Sequence, residues 1–334
     1  MRRFVALLFA ALLIGGSSRA ADVQVSCTME ETFDDPHPVL HDERKSLFWV
    51  RPLEVDADGA RNAYHRDDPH GSKGLAIEYL GNGMTILRGG RPLEFVPEEN
   101  GNSEWLKAYR SIVENGWKAP AGIEVDIYGI ARDKNDEVCV GKDGRLVSST
   151  SLVQNTRAAA CDPARYVDAL KLPGIVLPNR APTEKPVNGA DPEIAPPFAS
   201  RGVSRGDLAV VYNPETKIWK GAFIYDTGPR NLLGEGSVRL VLDLRGQGDL
   251  PASGDQTNSL GITETHVVVF PGTAKRLGPG KTWTKAKIQA LAEAQFRKWG
   301  GGTIEGALNR LATCAAEYKA KFPASASGDD DDEN

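Results

Sequence analysis

The spacing of apolar and polar positions along this chain changes several times, and each change marks an element. NSEWLKAYRSIVENGW places Trp105, Leu106, Tyr109, Ile112 and Val113 at helical spacing, with Asn115-Gly116 as a stop, so a helix is predicted there. KGLAIEYLGNGMTILRGGRPLEFVP sets Gly81-Asn82-Gly83 between two apolar segments, the pattern of a hairpin. GIEVDIYGI, DEVCVG and RLVSSTS read as short strands, and DPARYVDALK opens a short helix with a capping Asp162 and Pro163 behind it. LPGIVLP, GDLAVVYN, IWKGAFIYD and THVVVFPG read as buried strands, the second and third joined by a turn at 214–217. VRLVLDL fits both periods, because Val238, Leu240, Leu242 and Leu244 alternate as in a strand while Ser237 offers a helix cap; the helix is preferred. TKAKIQALAEAQFRKW and TIEGALNRLATCAAEYKAKF predict two C-terminal helices broken at 300–302.

Many short strands with few helices between them predict a mainly β (α+β) fold, a barrel or sandwich carrying peripheral helices that include the C-terminal pair. The proline-rich stretch 181–198 is read as a long loop over a single domain, residues 21–325, with a boundary between two domains as the alternative. MRRFVALLFAALLIGGSSRA has the charged start, short apolar run and small-residue end of a secretory signal, so residues 1–20 are expected to be removed on export. Residues 326–334 are expected to be a disordered acidic tail. Loss of Arg2, Arg3 and Arg19 with the signal takes the formal charge from −5 to −8. That balance disfavours nucleic acid and anionic lipid as partners and suits a cationic substrate. An exported protein with four cysteines is expected to form disulfides. Three pairings are open, and Cys139 with Cys161 and Cys27 with Cys314 is the set expected; no CxxC spacing suggests zinc.

Two carboxylates stand out in IYDTGPRNLLGEGS. Asp226 sits where a strand hands over to a turn, which Asp before Thr-Gly-Pro commonly starts. Glu235 stands between two glycines, which suits a place where backbone and ligand come close. Two carboxylates at the rim of a β core suit general acid/base chemistry, above all glycoside hydrolysis. His37, His41, His65, His70 and His266 have no GxSxG partner; three of the first four are expected at the surface and His266 as a hydrogen-bonded structural residue. No nucleotide fingerprint opens a helix, so no cofactor is expected.

GDLAVVYN, YDTGPRNLLGEGS and VVVFPG, in that order, together with EVDIYG, VSSTSL, DPARYVDAL and PGIVLP upstream, resemble the chitosanases of glycoside hydrolase family 75 over Leu75 to Gly272. The most specific element is Asp-x-Gly-Pro followed by Gly-Glu-Gly-Ser. The resemblance implies a β-barrel core and an inverting endo-hydrolase of β-1,4-linked glucosamine, with Asp226 as general base and Glu235 as general acid. It also implies acids that bind ammonium groups: Asp126, with Glu124 beside it, on a strand whose positions 124, 126 and 128 share a face. Trp219 and Tyr225 are the aromatic candidates for stacking on sugars. The chain departs from the pattern at Tyr128, where another Asp is expected, and at Tyr225, where Gly is expected. The expectation is thus a secreted, monomeric glycosidase without metal or membrane insertion, acting on chitosan. The alternatives are another amino-sugar polymer, such as peptidoglycan or partly acetylated chitin, or a non-catalytic carbohydrate-binding envelope protein.

Overall fold

The computed structural model describes Cys27 and residues 29–32, 38–96, 103–230 and 232–323. The signal and the acidic tail read from the sequence lie outside these residues. Eleven strands are present among them: β1 (Met29–Thr32), β2 (Leu40–Asp42), β3 (Leu47–Asp56), β4 (Met84–Arg88), β5 (Arg91–Pro92), β6 (Ile123–Ile127), β7 (Gly174–Pro178), β8 (Leu208–Asn213), β9 (Ile218–Gly228), β10 (Glu235–Ser237) and β11 (Ile262–Phe270). The helices are α1 (Glu104–Glu114), α2 (Pro196–Ala199), α3 (Val238–Arg245), α4 (Gly254–Asn258), α5 (Lys285–Trp299) and α6 (Ile304–Lys321).

Six strands close into a barrel in the order β3-β10-β7-β9-β8-β11, because β11 returns to pair with β3. Closure leaves those strands no open edge, and helices α3, α5 and α6 pack against them, so β7, β8, β9 and β11, covered on both faces, are rich in apolar runs. Phe48, Val50, Ile175, Leu177, Val210, Phe223 and Val268 fill the main core. Two of the pairings, β7 with β9 and β10 with β3, are parallel, so these neighbours come from distant parts of the chain. β3 was not among the elements predicted above, although LFWVRPLEVD is apolar enough to have been one.

A second, three-stranded sheet, β5-β4-β6, packs with α1 around Met84, Ile86, Trp105, Tyr109 and Ile112. Helix α3 joins the two cores: Val238 and Leu242 enter this second cluster, whereas Leu240, Val241 and Leu244 enter the main one. A helix buried on both sides is apolar nearly all round, which is why its period was ambiguous in the sequence.

Other readings change. The hairpin turn lies at Gly89-Gly90, between β4 and β5, and not at Gly81-Asn82-Gly83, where Leu80–Asn82 forms one 3₁₀ turn. The chain before it is irregular because buried Asp68 accepts the backbone N–H groups of Ser72, Lys73, Leu75 and Ala76. DEVCVG and RLVSSTS make isolated bridges and not strands, and DPARYVDALK gives only a 3₁₀ turn capped by Asp162. The stretch 181–198 is a loop over one domain as far as Ala195 and then enters α2 at Pro196; it is pinned by the Asn179–Ile194 bridge and by ion pairs from Glu184 to Arg230 and from Asp191 to Arg205.

Both disulfides, Cys27–Cys314 and Cys139–Cys161, join the expected cysteines. The first fastens the chain near its start to α6, beside Tyr318, whose hydroxyl donates to the Pro38 carbonyl. Among the described residues no helix is long and apolar enough to cross a membrane.

Candidate active site

Glu54, Glu235, Val176 and Asp226 form one row across four neighbouring strands. Glu235 on β10 is opposite both Glu54 on β3 and Val176 on β7, and Val176 is opposite Asp226 on β9. With β7 between them, the backbones of Glu235 and Asp226 are two strand spacings apart, about 10 Å. The register slips between Ile175 and Val176, so Tyr225 is the extra residue of a bulge on β9, a device that re-aims neighbouring side chains.

Each position has a local cause. Asp226 is 5% exposed, and one oxygen, Oδ1, accepts the backbone N–H groups of Ser151 and Thr227 at 2.8 and 2.7 Å. Gly234 has a φ of +127°, and a Cβ there would lie 2.6 Å from the Pro52 carbonyl, so this glycine brings β10 close to β3. The glycine before Glu235 thus serves a backbone contact within the barrel and not a bound ligand. Two residues later Ser237 caps α3 through Leu240 N–H, accepts from Gly174 N–H and donates to the Leu172 carbonyl.

The row opens on a cleft of about 670 Å³, walled on the other side by Gly81, Asn82 and Tyr128 near the ends of the second sheet. Seven carboxylates line it, those of Glu54, Asp56, Asp58, Glu78, Glu193, Asp226 and Glu235, and no Lys, Arg or His is among the described lining residues. Asp56, Asp58, Glu54, Glu78 and Glu193 were not candidates in the sequence reading. A usable signal was there: LEVDAD ends an apolar run with acids at alternate positions, much as IYD ends β9.

Asp56 accepts from the Tyr225 hydroxyl at 2.6 Å and from Asp58 N–H at 2.7 Å, and Asp58 accepts from the Ser148 hydroxyl at 2.8 Å. One oxygen from each of Asp56, Asp58 and Asp226 lies within 4.8 Å of the others, close enough for their charges to oppose one another's ionisation or to hold a cation through oxygen ligands. Burial and the Asp56 charge raise Asp226 to about 7. Burial, then the charges of Asp56, Glu54 and Asp226, hold Glu235 well above the ordinary carboxyl range. Its place just before α3 would favour ionisation, and burial among carboxylates outweighs that effect. Burial raises Glu78 to about 8.

The remaining candidates fall elsewhere. Tyr225 is fully buried beneath the site, with its hydroxyl on Asp56 and no face open to a sugar. Trp219 lies towards the other end of β9 and packs against Phe296 of α5, away from the cleft lining. Glu124 and Asp126 are exposed on one face of β6 as alternation predicts, but of that face only Tyr128, just beyond the strand and 49% exposed, lines the cleft. His266 is buried and bonded to Glu264, as expected of a structural histidine, and His65 is also buried, with its Nε2 on the Asp143 carbonyl. No family model and no curated protein matches the chain.

Proposed function

We propose that this chain is an exported, inverting endo-glycosidase acting on β-1,4-linked glucosamine polymers, with Asp226 as base and Glu235 as acid. The observation that carries this reading is the cleft itself, lined by seven carboxylates and by no cationic side chain among the described residues. A polymer bearing ammonium groups supplies the charge that such a surface needs. The two disulfides suit export to an oxidising compartment.

The pair supports the chemistry. Asp226 has Oδ1 occupied by two N–H donors, which leaves Oδ2 to take a proton from water. Glu235, held protonated by its surroundings, can donate to the glycosidic oxygen. Asp226 at about 7 must lose its proton to serve as base, and a substrate ammonium in the cleft favours that loss. A second reading, hydrolysis of a partly acetylated amino-sugar polymer, draws on Tyr128, an aromatic residue that lines the cleft where the resemblance calls for an acid.

Reducing-end release from soluble chitosan, glycol chitin and peptidoglycan at mildly acidic pH tests both readings. Turnover should fall by about 10²- to 10⁴-fold in Glu235→Gln, with binding retained. Folded wild-type protein that releases nothing from any of the three polymers would instead favour a carbohydrate-binding role.

A further inference from the structure

Gly228 is the last residue of β9, two positions beyond Asp226. In a turn sequence such as Asp-Thr-Gly-Pro, glycine is ordinarily explained by a left-handed backbone. Here that explanation fails, because Gly228 does not have a positive φ and is still paired in the sheet opposite Pro178. Its carbonyl accepts the Asn179 N–H at 2.9 Å, so the backbone is held in place.

Space explains the glycine. A Cβ at this position would stand 2.7 Å from Glu235 Oε2 and 3.1 Å from Val176 Cγ1. The Glu235 side chain therefore crosses over Val176 from β10 and lays its carboxyl group against the bare backbone of β9. Positions 226 and 228 share a face of the strand, and two strand residues span about 7 Å. That backbone span is comparable with the roughly 6.5–9.5 Å between the carboxyl groups of an inverting pair.

We propose that Gly228 is the positioning residue for Glu235: the absence of a side chain seats the Glu235 carboxyl on β9 and keeps the slot between it and Asp226 open. Alanine is compatible with the backbone there, and the atom it meets first is the movable end of Glu235. The substitution should thus displace the carboxyl group and put a methyl in the slot without unfolding the barrel. The catalytic consequence rests on the glycosidase reading, whereas the seating of Glu235 on Gly228 does not.

Two measurements on the full chain decide it. The first is a double-mutant cycle by urea denaturation with Gly228→Ala, Glu235→Ala and the double variant. The second is turnover of soluble chitosan by wild type and Gly228→Ala. Gly228→Ala should lower the urea midpoint, and by less when Glu235 is already alanine. It should also reduce kcat about 100-fold, the scale expected when a catalytic group is displaced by an ångström, with KM nearly unchanged. Additive midpoints would overturn the seating, and wild-type kcat in Gly228→Ala would overturn the positioning role whatever the cycle shows. If wild type hydrolyses none of the three polymers, the glycosidase reading fails by itself. The cycle then decides alone, with non-additivity supporting the seating and additivity refuting it.

Discussion

Asp56 brings a negative charge to a cleft that already holds Asp58, Asp226 and Glu235, and it is the carboxylate with the largest charge effect on both Asp226 and Glu235. Asn at position 56 keeps an oxygen for the Tyr225 hydroxyl and removes the charge. Asp56→Asn is therefore expected to lower the pKa values of Asp226 and Glu235 together and to move both limbs of the pH–rate profile to lower pH. A profile that stays in place would show that Asp56 is not the charge that raises them. Asp226 and Glu235 were legible in the sequence because they lie nine residues apart in one compact motif. Asp56 and Asp58 carried only the weak mark of alternating acids at the end of LEVDAD, and Glu78 carried none, because distant segments bring them to the cleft. The two aromatic candidates failed for a related reason: alternation predicts that Trp219 and Tyr225 share a face of β9, but not whether that face meets solvent, a helix or a carboxylate.

At the scale of elements, the three-residue strand β10 is too short to hold Glu235 by its own pairing. Its register is secured by β3 on one side, β7 on the other and the Ser237 hydroxyl at its end. That hydroxyl makes three hydrogen bonds in a fully buried position. Ser237→Ala should cost about 1–3 kcal/mol in denaturant unfolding, combining a lost cap with donors and acceptors left unpaired. A loss below a few tenths of a kcal/mol would mean that the strand pairings suffice. The strands β7, β8, β9 and β11 and the helices α1, α5 and α6 were predictable from period and caps. The pieces from 131 to 150 were not, since they form bridges held by the Cys139–Cys161 link and by loop hydrogen bonds, without a regular ladder.

For the whole molecule, burying carboxylates makes stability depend on pH. Asp226 rises from 3.8 to about 7 and Glu78 from 4.5 to about 8. Between those limits the folded chain binds more protons than the unfolded one, so each group's contribution to stability falls as pH rises. Burial lowers the pKa of His266, which acts in the opposite sense near 6.5. The variant difference isolates the effect: the fall in Tm between pH 5 and pH 8 should be smaller in Glu78→Gln than in wild type, and equal slopes would contradict the assignment. The helices α5 and α6 brace the barrel, since none of their residues lines the cleft. The disulfide that ties α6 to Cys27 closes a span of 287 residues. Replacing both of its cysteines with serine should cost about 2–5 kcal/mol in unfolding while leaving the cleft assembled.

Sequence alone determined the barrel-like β composition, the capped helices and the motif that holds Asp226 and Glu235. Each of these is written in neighbouring residues, by period, by cap or by a short run of special residue types. Tertiary structure alone decided which strands close the barrel, that β3 joins it between β10 and β11, and that acids from five separate segments face one cleft. The parallel pairings and the slot over Gly228 exist only after closure, because they depend on contacts between residues that the chain itself keeps far apart.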